Sequence, residues 1–122
     1  MFGGKRKEQG VDQEIKTLIG AGTIFEGNIT ISEGLTRIDG EIVGNITGNG
    51  GLIIGESGNV KGDINVESLI VYGRVLGNIK AKSVELKRGS KVSGKLEILE
   101  LYVEKGAFYN GECRMTEGGT NV

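Results

Sequence analysis

The sequence has no proline, tryptophan or histidine, and it has only one cysteine among 122 residues. The missing proline excludes a collagen-like chain despite 23 glycines, because collagen needs imino acids as well as a strict glycine triplet. A lone cysteine cannot close an intramolecular disulfide, which favours a reducing cytoplasm. We interpret that residue, Cys113, as a small apolar side chain at a core position.

Strong net charge and long apolar runs are missing as well. The formal net charge is −1, so no basic or acidic field indicates binding to nucleic acid. No apolar run approaches the ~20 residues that span a bilayer, and the basic start is not followed by the apolar stretch of a signal peptide. We therefore expect a cytoplasmic protein without a membrane-spanning segment.

What the sequence does have is a glycine-punctuated repeat that alternates apolar and polar residues, as in Val60–Val66. Six central glycines recur at intervals of 17, 18, 15, 17 and 17 residues: Gly27, Gly44, Gly62, Gly77, Gly94 and Gly111. A second series precedes them by four or five residues: Gly22, Gly40, Gly58, Gly73, Gly89 and Gly106. Two glycine series that recur together over six copies identify a repeat protein.

Each repeat contains three short segments with the period of two that is typical of β-strands. Apolar residues stand two positions before and after the central glycine, and a third follows two residues later. A further apolar pair, Leu35 and Ile38 in the first repeat, comes after a polar corner. One repeat is too small to close a core, but coiled repeats stack equivalent side chains at the ~4.8 Å strand spacing. We predict a single all-β domain, a three-sided parallel β-helix of about six coils that is roughly 29 Å tall.

The pattern divides the chain into a flexible N-terminal tail over residues 1–16, a β-helix domain over 17–116 and a short flexible tail over 117–122. Glycine at the corners supplies positive φ without a Cβ clash. Because the repeats differ in length, we expect the additional residues to lie at corners, where they leave the inward alternation undisturbed.

Several motifs taken together resemble one family. They are Gly-x-Gly-x-x-x-x-Gly-Asn-Ile at 20–29, the recurring Gly-Asn-Ile and Gly-Asp-Ile triplets, and Val-Glu-Lys-Gly-Ala-Phe-Tyr-Asn-Gly-Glu-Cys at 103–113. As a set, from about Thr17 to Met115, they resemble the bactofilins, which are small bacterial cytoskeletal proteins. The resemblance implies a right-handed β-helix that polymerises end to end into non-polar filaments without nucleotide. It also implies attachment to the inner membrane and scaffolding of cell-wall or cell-shape proteins.

The ends of the coil carry the main functional hypothesis, because an open solenoid exposes strand edges and core side chains. The sequence shows no amphipathic capping helix, and bulky residues stand in the first and last repeats. The predicted self-assembly interface consists of Leu18, Ile24, Phe25, Phe108, Tyr109 and Met115. Alignment on Gly111 points Tyr109 inward and Phe108 towards the outer surface or the end face, although the pattern alone does not settle which ring faces the core. The alternative is that these aromatics plug the mouths of a monomer.

The N-terminal start predicts a membrane contact through Met1, Phe2, Lys5, Arg6 and Lys7. An anionic leaflet attracts each basic residue by ~1 kcal/mol, and an aromatic ring can insert at the headgroup boundary. A filament would display many such tails, so weak contacts would add up by avidity. We expect the protein on the cytoplasmic face of the inner membrane; the alternative is a solvated tail.

No enzymatic, cofactor, metal or nucleotide function is predicted. The nearest enzymatic rival, a hexapeptide-repeat acyltransferase, has similar coils but commonly relies on a histidine that this chain lacks. Gly20-Ala-Gly22 and Gly48-Asn-Gly50-Gly51 lack the Gly-Lys-Ser/Thr of a phosphate-binding loop, so we interpret them as corner glycines. The expected partners are other copies of the chain, an anionic membrane surface and cell-wall or shape-determining proteins. The alternative function is a non-polymerising solenoid adaptor that presents a flat face to a protein partner.

Overall fold

A computed structural model describes residues 14–116, in which β-strands are the only regular secondary structure and every strand pairing is parallel. The strands wind as six coils, and each coil contributes one strand segment to each of three faces. The predicted parallel β-helix of about six coils is confirmed. Ladder hydrogen bonds therefore run along the helix axis, from each coil to the next.

Each face is a stack of parallel segments. The first face consists of β1 (Ile15–Ile19), β4 (Leu35–Ile38), β7 (Gly51–Ile54), β10 (Ser68–Val71) and the second halves of β12 (Ile79–Leu86) and β14 (Leu96–Val103). The second face consists of β2 (Ile24–Glu26), β5 (Glu41–Val43), β8 (Asn59–Lys61), β11 (Arg74–Leu76), β13 (Lys91–Ser93) and β15 (Phe108–Asn110). The third face consists of β3 (Ile29–Ile31), β6 (Ile46–Gly48), β9 (Ile64–Asn65), the first halves of β12 and β14, and β16 (Cys113–Met115).

The core is a set of apolar columns that run along the axis. Ile42, Val60 and Val75, each two residues before a central glycine, lie in register on neighbouring coils and are fully buried. Full burial of one such aliphatic side chain contributes roughly 1.5–3 kcal/mol. Because every middle coil is covered on both sides by another coil, the core is continuous along the described chain.

The central glycines are required by close approach between coils as well as by backbone conformation. Gly77 has a φ of 151°, which ordinary L-residues rarely adopt. A Cβ atom at this position would overlap the carbonyl oxygen of Gly62 on the preceding coil. The same overlap recurs for Gly62 over Gly44 and for Gly94 over Gly77. The glycine column is therefore the place where successive coils pack backbone against backbone.

The residue after each central glycine takes part in a ladder of side-chain hydrogen bonds. Oδ1 of Asn45 accepts the N–H of Asp63 at 2.9 Å, and an Oδ1 atom of Asp63 accepts the N–H of Asn78 at 3.0 Å. Oδ1 of Asn78 then accepts the N–H of Lys95 at 3.1 Å, where the ladder ends because a lysine side chain has no acceptor. Each recurring triplet thus supplies a glycine that allows close approach between coils and an Asn or Asp whose side chain accepts a hydrogen bond from the next coil.

Differences in coil length are absorbed at the corners. The corner between the first and second faces has two residues at 39–40 but four at 55–58, and the corner between the third and first faces has three residues at 32–34 but two at 49–50. The strands on both sides keep their register with the neighbouring coils. This agrees with the expectation that extra residues lie at corners, since a corner can bulge outward without shifting the inward alternation.

Two details of the first coils differ from the sequence pattern. Leu35, predicted as a core partner of Ile38, is outward, and Thr36 takes the inward position with 5% of its surface exposed. Residues three apart point to opposite faces of a strand, so Leu35 and Ile38 cannot both face the core. In addition, β1 begins at Ile15, two residues before the predicted start of the coil domain, and Lys16 forms a bulge in its pairing with β4.

Candidate assembly interface

The C-terminal coil leaves inward side chains uncovered. Val103 lies in register with the fully buried Leu86, yet 54% of Val103 is exposed. Met115 is 53% exposed, although Ile98, its neighbour in register on the preceding coil, is only 1% exposed. Both residues belong to core columns, and no further coil of the described chain covers them.

The N-terminal coil ends the core at the other mouth. Phe25 lies in register with the fully buried Ile42 and is itself 37% exposed. Ile19 and Ile29 are half-buried and pack against the core. At this end, too, the exposed surface belongs to side chains whose equivalents on the next coil are enclosed. Within residues 14–116 the rod therefore has an apolar opening at both ends.

Tyr109, not Phe108, faces the core of the last coil. Tyr109 lies in register with the buried Val92, and its hydroxyl donates to the carbonyl oxygen of Gly94 at 2.7 Å. Burial raises the pKa of this phenol. Phe108 is outward and 63% exposed, with the Nζ atom of Lys91 5.9 Å from the centre of its ring. The alignment on the central glycine indicated this arrangement of the two rings.

The last coil is fixed by contacts with the coil before it. A carboxylate oxygen of Glu104 accepts the N–H of Arg88 at 2.9 Å, and this hydrogen bond is the main cause that lowers the pKa of Glu104 below its usual value. The Nζ atom of Lys87 lies 3.6 Å from the same carboxylate. These contacts hold the corner that leads into β15, so they position the residues of the C-terminal opening.

Two predicted interface residues, Leu18 and Ile24, point sideways and not into the end of the core. Leu18 lies in register with Arg37, and Ile24 lies in register with Glu41, and both partners belong to outward columns. Leu18 and Ile24 are well exposed. They therefore form an apolar rim around the N-terminal mouth, as Phe108 does at the C-terminal mouth.

The sequence prediction missed two further exposed residues of the last coil, Tyr102 and Val103. Val103 fits the inward pattern of the final repeat. A core-column residue in the final repeat is not covered by another coil, and this signal could have identified Val103. Tyr102 alternates with it on the outer side of the same strand, and a simple apolar pattern carries no signal for such a position.

The predicted membrane-binding residues Met1, Phe2, Lys5, Arg6 and Lys7 lie outside the described residues. Residues 14–116 contain no helix with the length and apolar character needed to cross a membrane. The same part of the chain contains no group of acidic, cysteine or histidine side chains arranged to hold a metal ion. The predicted interface residues lie at the two apolar ends of the rod.

Sequence similarity connects this chain to one family. Residues 17–114 match the family model described as bactofilin, polymer-forming cytoskeletal. The chain is 35% identical to bactofilin BacP and 34% identical to bactofilin BacO of Myxococcus xanthus (strain DK1622), over 100 residues in each case. Each match covers 81% of this chain, with 41% of BacP and 79% of BacO. The chain therefore spans less than half the length of BacP.

Two solved bactofilin structures share the fold. The cryo-EM reconstruction of Thermus thermophilus bactofilin double helical filaments matches with a TM-score of 0.77 and 27% identity, over 82% of this chain and 99% of that one. The atomic structure of the cytoskeletal bactofilin BacA from solid-state NMR matches with a TM-score of 0.74 and 35% identity, over 82% and 95% of the two chains. With the family match extending over nearly every coil, this chain belongs to the bactofilins, a family of polymer-forming cytoskeletal proteins.

Proposed function

We propose that this protein polymerises end to end, through like-with-like contacts, into non-polar cytoskeletal filaments that form without nucleotide. The filaments attach to the inner face of the cell membrane and scaffold cell-wall or cell-shape proteins. One observation carries the proposal. Within residues 14–116, the core columns are uncovered at both ends of a rod whose middle coils bury the same columns completely.

An end-to-end contact removes two unfavourable exposures at once. It covers core-column side chains such as Val103 and Met115, each more than half exposed in the single chain. It also pairs backbone N–H and C=O groups on the edges of the terminal strands, which otherwise attract another chain. Tyr109 fills part of the C-terminal mouth, but the neighbouring columns stay open, so an aromatic plug in a monomer explains the geometry less well.

Filaments are expected in a buffer that contains EDTA and no nucleotide, because the proposed contact consists of apolar side chains and strand edges and needs no chemical energy. Pelleting and negative-stain electron microscopy of the purified protein, with and without ATP or GTP and magnesium, check this expectation. Equal pelleted fractions support it, whereas filaments that form only with nucleotide contradict it. A particle that stays single at high concentration would support the adaptor function instead.

Membrane attachment is proposed from the N-terminal start, which carries Phe2 and the three basic residues Lys5, Arg6 and Lys7. Each basic residue near an anionic surface contributes about 1 kcal/mol, so three of them raise the affinity of one tail by roughly a hundredfold. A filament repeats this contact along its length, and the combined attachment is much stronger than that of a single tail.

Deleting residues 1–7 is expected to release filaments from anionic vesicles and to leave polymerisation intact. A variant with Lys5, Arg6 and Lys7 changed to glutamine keeps the chain length, and it should also lose most of the binding because the attraction is electrostatic. Co-sedimentation with vesicles that contain phosphatidylserine measures the bound fraction, and neutral vesicles serve as the control. Equal sedimentation of the truncated and full-length proteins would rule out this role for the segment.

A further inference from the structure

A groove with an apolar floor lies on the first face of the rod. Leu35, Ile53 and Ile70 line it, and all three are outward and half-buried. Gly51 contributes no side chain, and a Cβ atom there would lie 3.3 Å from Cδ1 of Leu35 and 3.2 Å from Oγ of Ser68. The missing side chain therefore leaves a trough between these two residues. The groove has a volume of about 700 Å³, which lies in the size range of ligand-binding clefts.

The rim of the groove is acidic. Glu33 and Glu67 are exposed at the corner between the third and first faces, two coils and roughly 9.6 Å apart along the axis. A third carboxylate, that of Glu14, lines the end of the groove nearest the start of the coil. The exposed side chain of Lys16 bounds the groove at β1, and Nζ of Lys82 lies 3.4 Å from a carboxylate oxygen of Glu67. Three carboxylates and two amines leave an excess of negative charge beside the apolar floor, which fits a segment with both apolar and basic side chains.

The chain itself supplies such a segment, and it enters the coil at this groove. Residues 1–13 lead directly to Glu14, which is one of the lining residues. They include Phe2 and the basic triplet at 5–7. From residue 7 to Glu14 an extended chain spans roughly 23 Å, whereas the three coil spacings from β1 to β10 amount to about 14 Å. The basic triplet can therefore reach both glutamates on the rim.

We propose that residues 1–13 dock in this groove and hold the membrane-binding residues away from lipid until an anionic surface competes for them. The ring of Phe2 fills the trough at Gly51, and the basic triplet pairs with Glu33 and Glu67. The short connection gives the segment an effective concentration in the millimolar range, so contacts too weak to join separate molecules suffice within one chain. The consequence for lipid binding rests on the proposed membrane attachment, whereas the docking itself does not.

A single tryptophan can report the docking, because the sequence has none of its own. In the full-length Phe2→Trp protein, the indole emission should lie at shorter wavelength than that of an exposed tryptophan, and acrylamide should quench it several-fold less. Adding Ile53→Lys/Ile70→Lys should restore the emission and quenching of an exposed indole, because the lysines repel the basic triplet and resist burial. Leu76→Lys, at an exposed outward position on the second face, is the matched control and should change neither signal.

Release from the groove should also strengthen membrane binding. A segment that is docked in about nine molecules in ten binds vesicles about tenfold more weakly than a free one. Glu33→Gln/Glu67→Gln removes the rim charges from two exposed side chains, and it should raise the affinity for vesicles that contain phosphatidylserine several-fold. Glu56→Gln/Glu97→Gln makes the same change in net charge at exposed positions outside the groove, so it controls for weaker general repulsion from the anionic surface.

A shielded indole that becomes exposed in both groove variants, with tighter vesicle binding than in both controls, supports the proposal. If the lysine variant does not fold, the glutamine variant carries the same test. An indole that is equally exposed in the parent and in the groove variants overturns the docking and leaves the proposed membrane attachment standing. An indole that stays shielded in both groove variants places the segment elsewhere and overturns it as well. Docking in a protein that binds no vesicles supports the groove contact and contradicts only the proposed attachment.

Discussion

Gly77→Ala is expected to lower the stability of the coil by roughly 3–5 kcal/mol, which corresponds to a fall in unfolding temperature of about 15 °C or more. Two costs add up. The φ of 151° is open to glycine almost alone, and a methyl group would overlap the carbonyl oxygen of Gly62. Relief requires the two coils to move apart, which breaks ladder hydrogen bonds on all three faces. Thermal unfolding followed by far-UV circular dichroism measures the change.

Two other glycines provide matched controls for this prediction. Gly89 has a φ of 86° but no heavy atom within 4 Å of an added Cβ, so Gly89→Ala isolates the conformational cost of about 1–2 kcal/mol. Gly20 has neither a positive φ nor a neighbour within 4 Å, so Gly20→Ala should be nearly neutral. Similar unfolding temperatures for all three variants would contradict the role of close approach between coils.

Met115→Arg is expected to convert filaments into dimers that are joined at their N-terminal ends. Any contact at the C-terminal end would have to bury the guanidinium without a partner, which costs several kcal/mol and weakens the contact roughly a hundredfold or more. The N-terminal end is unchanged, so like-with-like assembly still joins two copies there and then stops. Phe25→Arg should give the opposite dimer, and the double variant a monomer. Light scattering after size exclusion measures the masses.

The same variants distinguish two modes of assembly. In a head-to-tail filament every contact uses both ends, so each single variant would be monomeric and an equimolar mixture of Met115→Arg and Phe25→Arg would form dimers. Leu76→Arg makes the same kind of change on the side of a middle coil and should polymerise normally. Filaments of normal length from both end variants would show that the interface lies elsewhere.

The coils could be predicted from the sequence because two independent constraints coincide in one short segment. A central glycine marks the place where the backbones of two coils touch, and the residues two positions away mark the core columns. Once repeats are aligned on their glycines, inward and outward positions follow by parity. This alignment indicated that Tyr109 is inward and Phe108 outward, as the structure shows.

Away from the glycine, an apolar residue does not reveal its own direction. Leu35 resembles a core residue, but its pairing with Gly51 makes it outward, and the inward position falls to Thr36. Ile53 and Ile70 illustrate the same difficulty. Each is the middle one of three consecutive apolar residues, so the sequence does not show which of the three points outward, and the register between coils places Ile53 and Ile70 in one outward column. The membrane contact stays a prediction, because its residues lie outside the described chain.

The corner between the first and second faces already occurs in two lengths without any change in the strands beside it. That tolerance offers a place for an epitope or fluorescent label, for example between Glu56 and Ser57, which are both exposed. A peptide inserted there would project from the flank of the rod and leave both mouths free. Each polymerised copy would then carry one label, at an average axial spacing of roughly 29 Å. The number of labels along a filament would therefore measure its length.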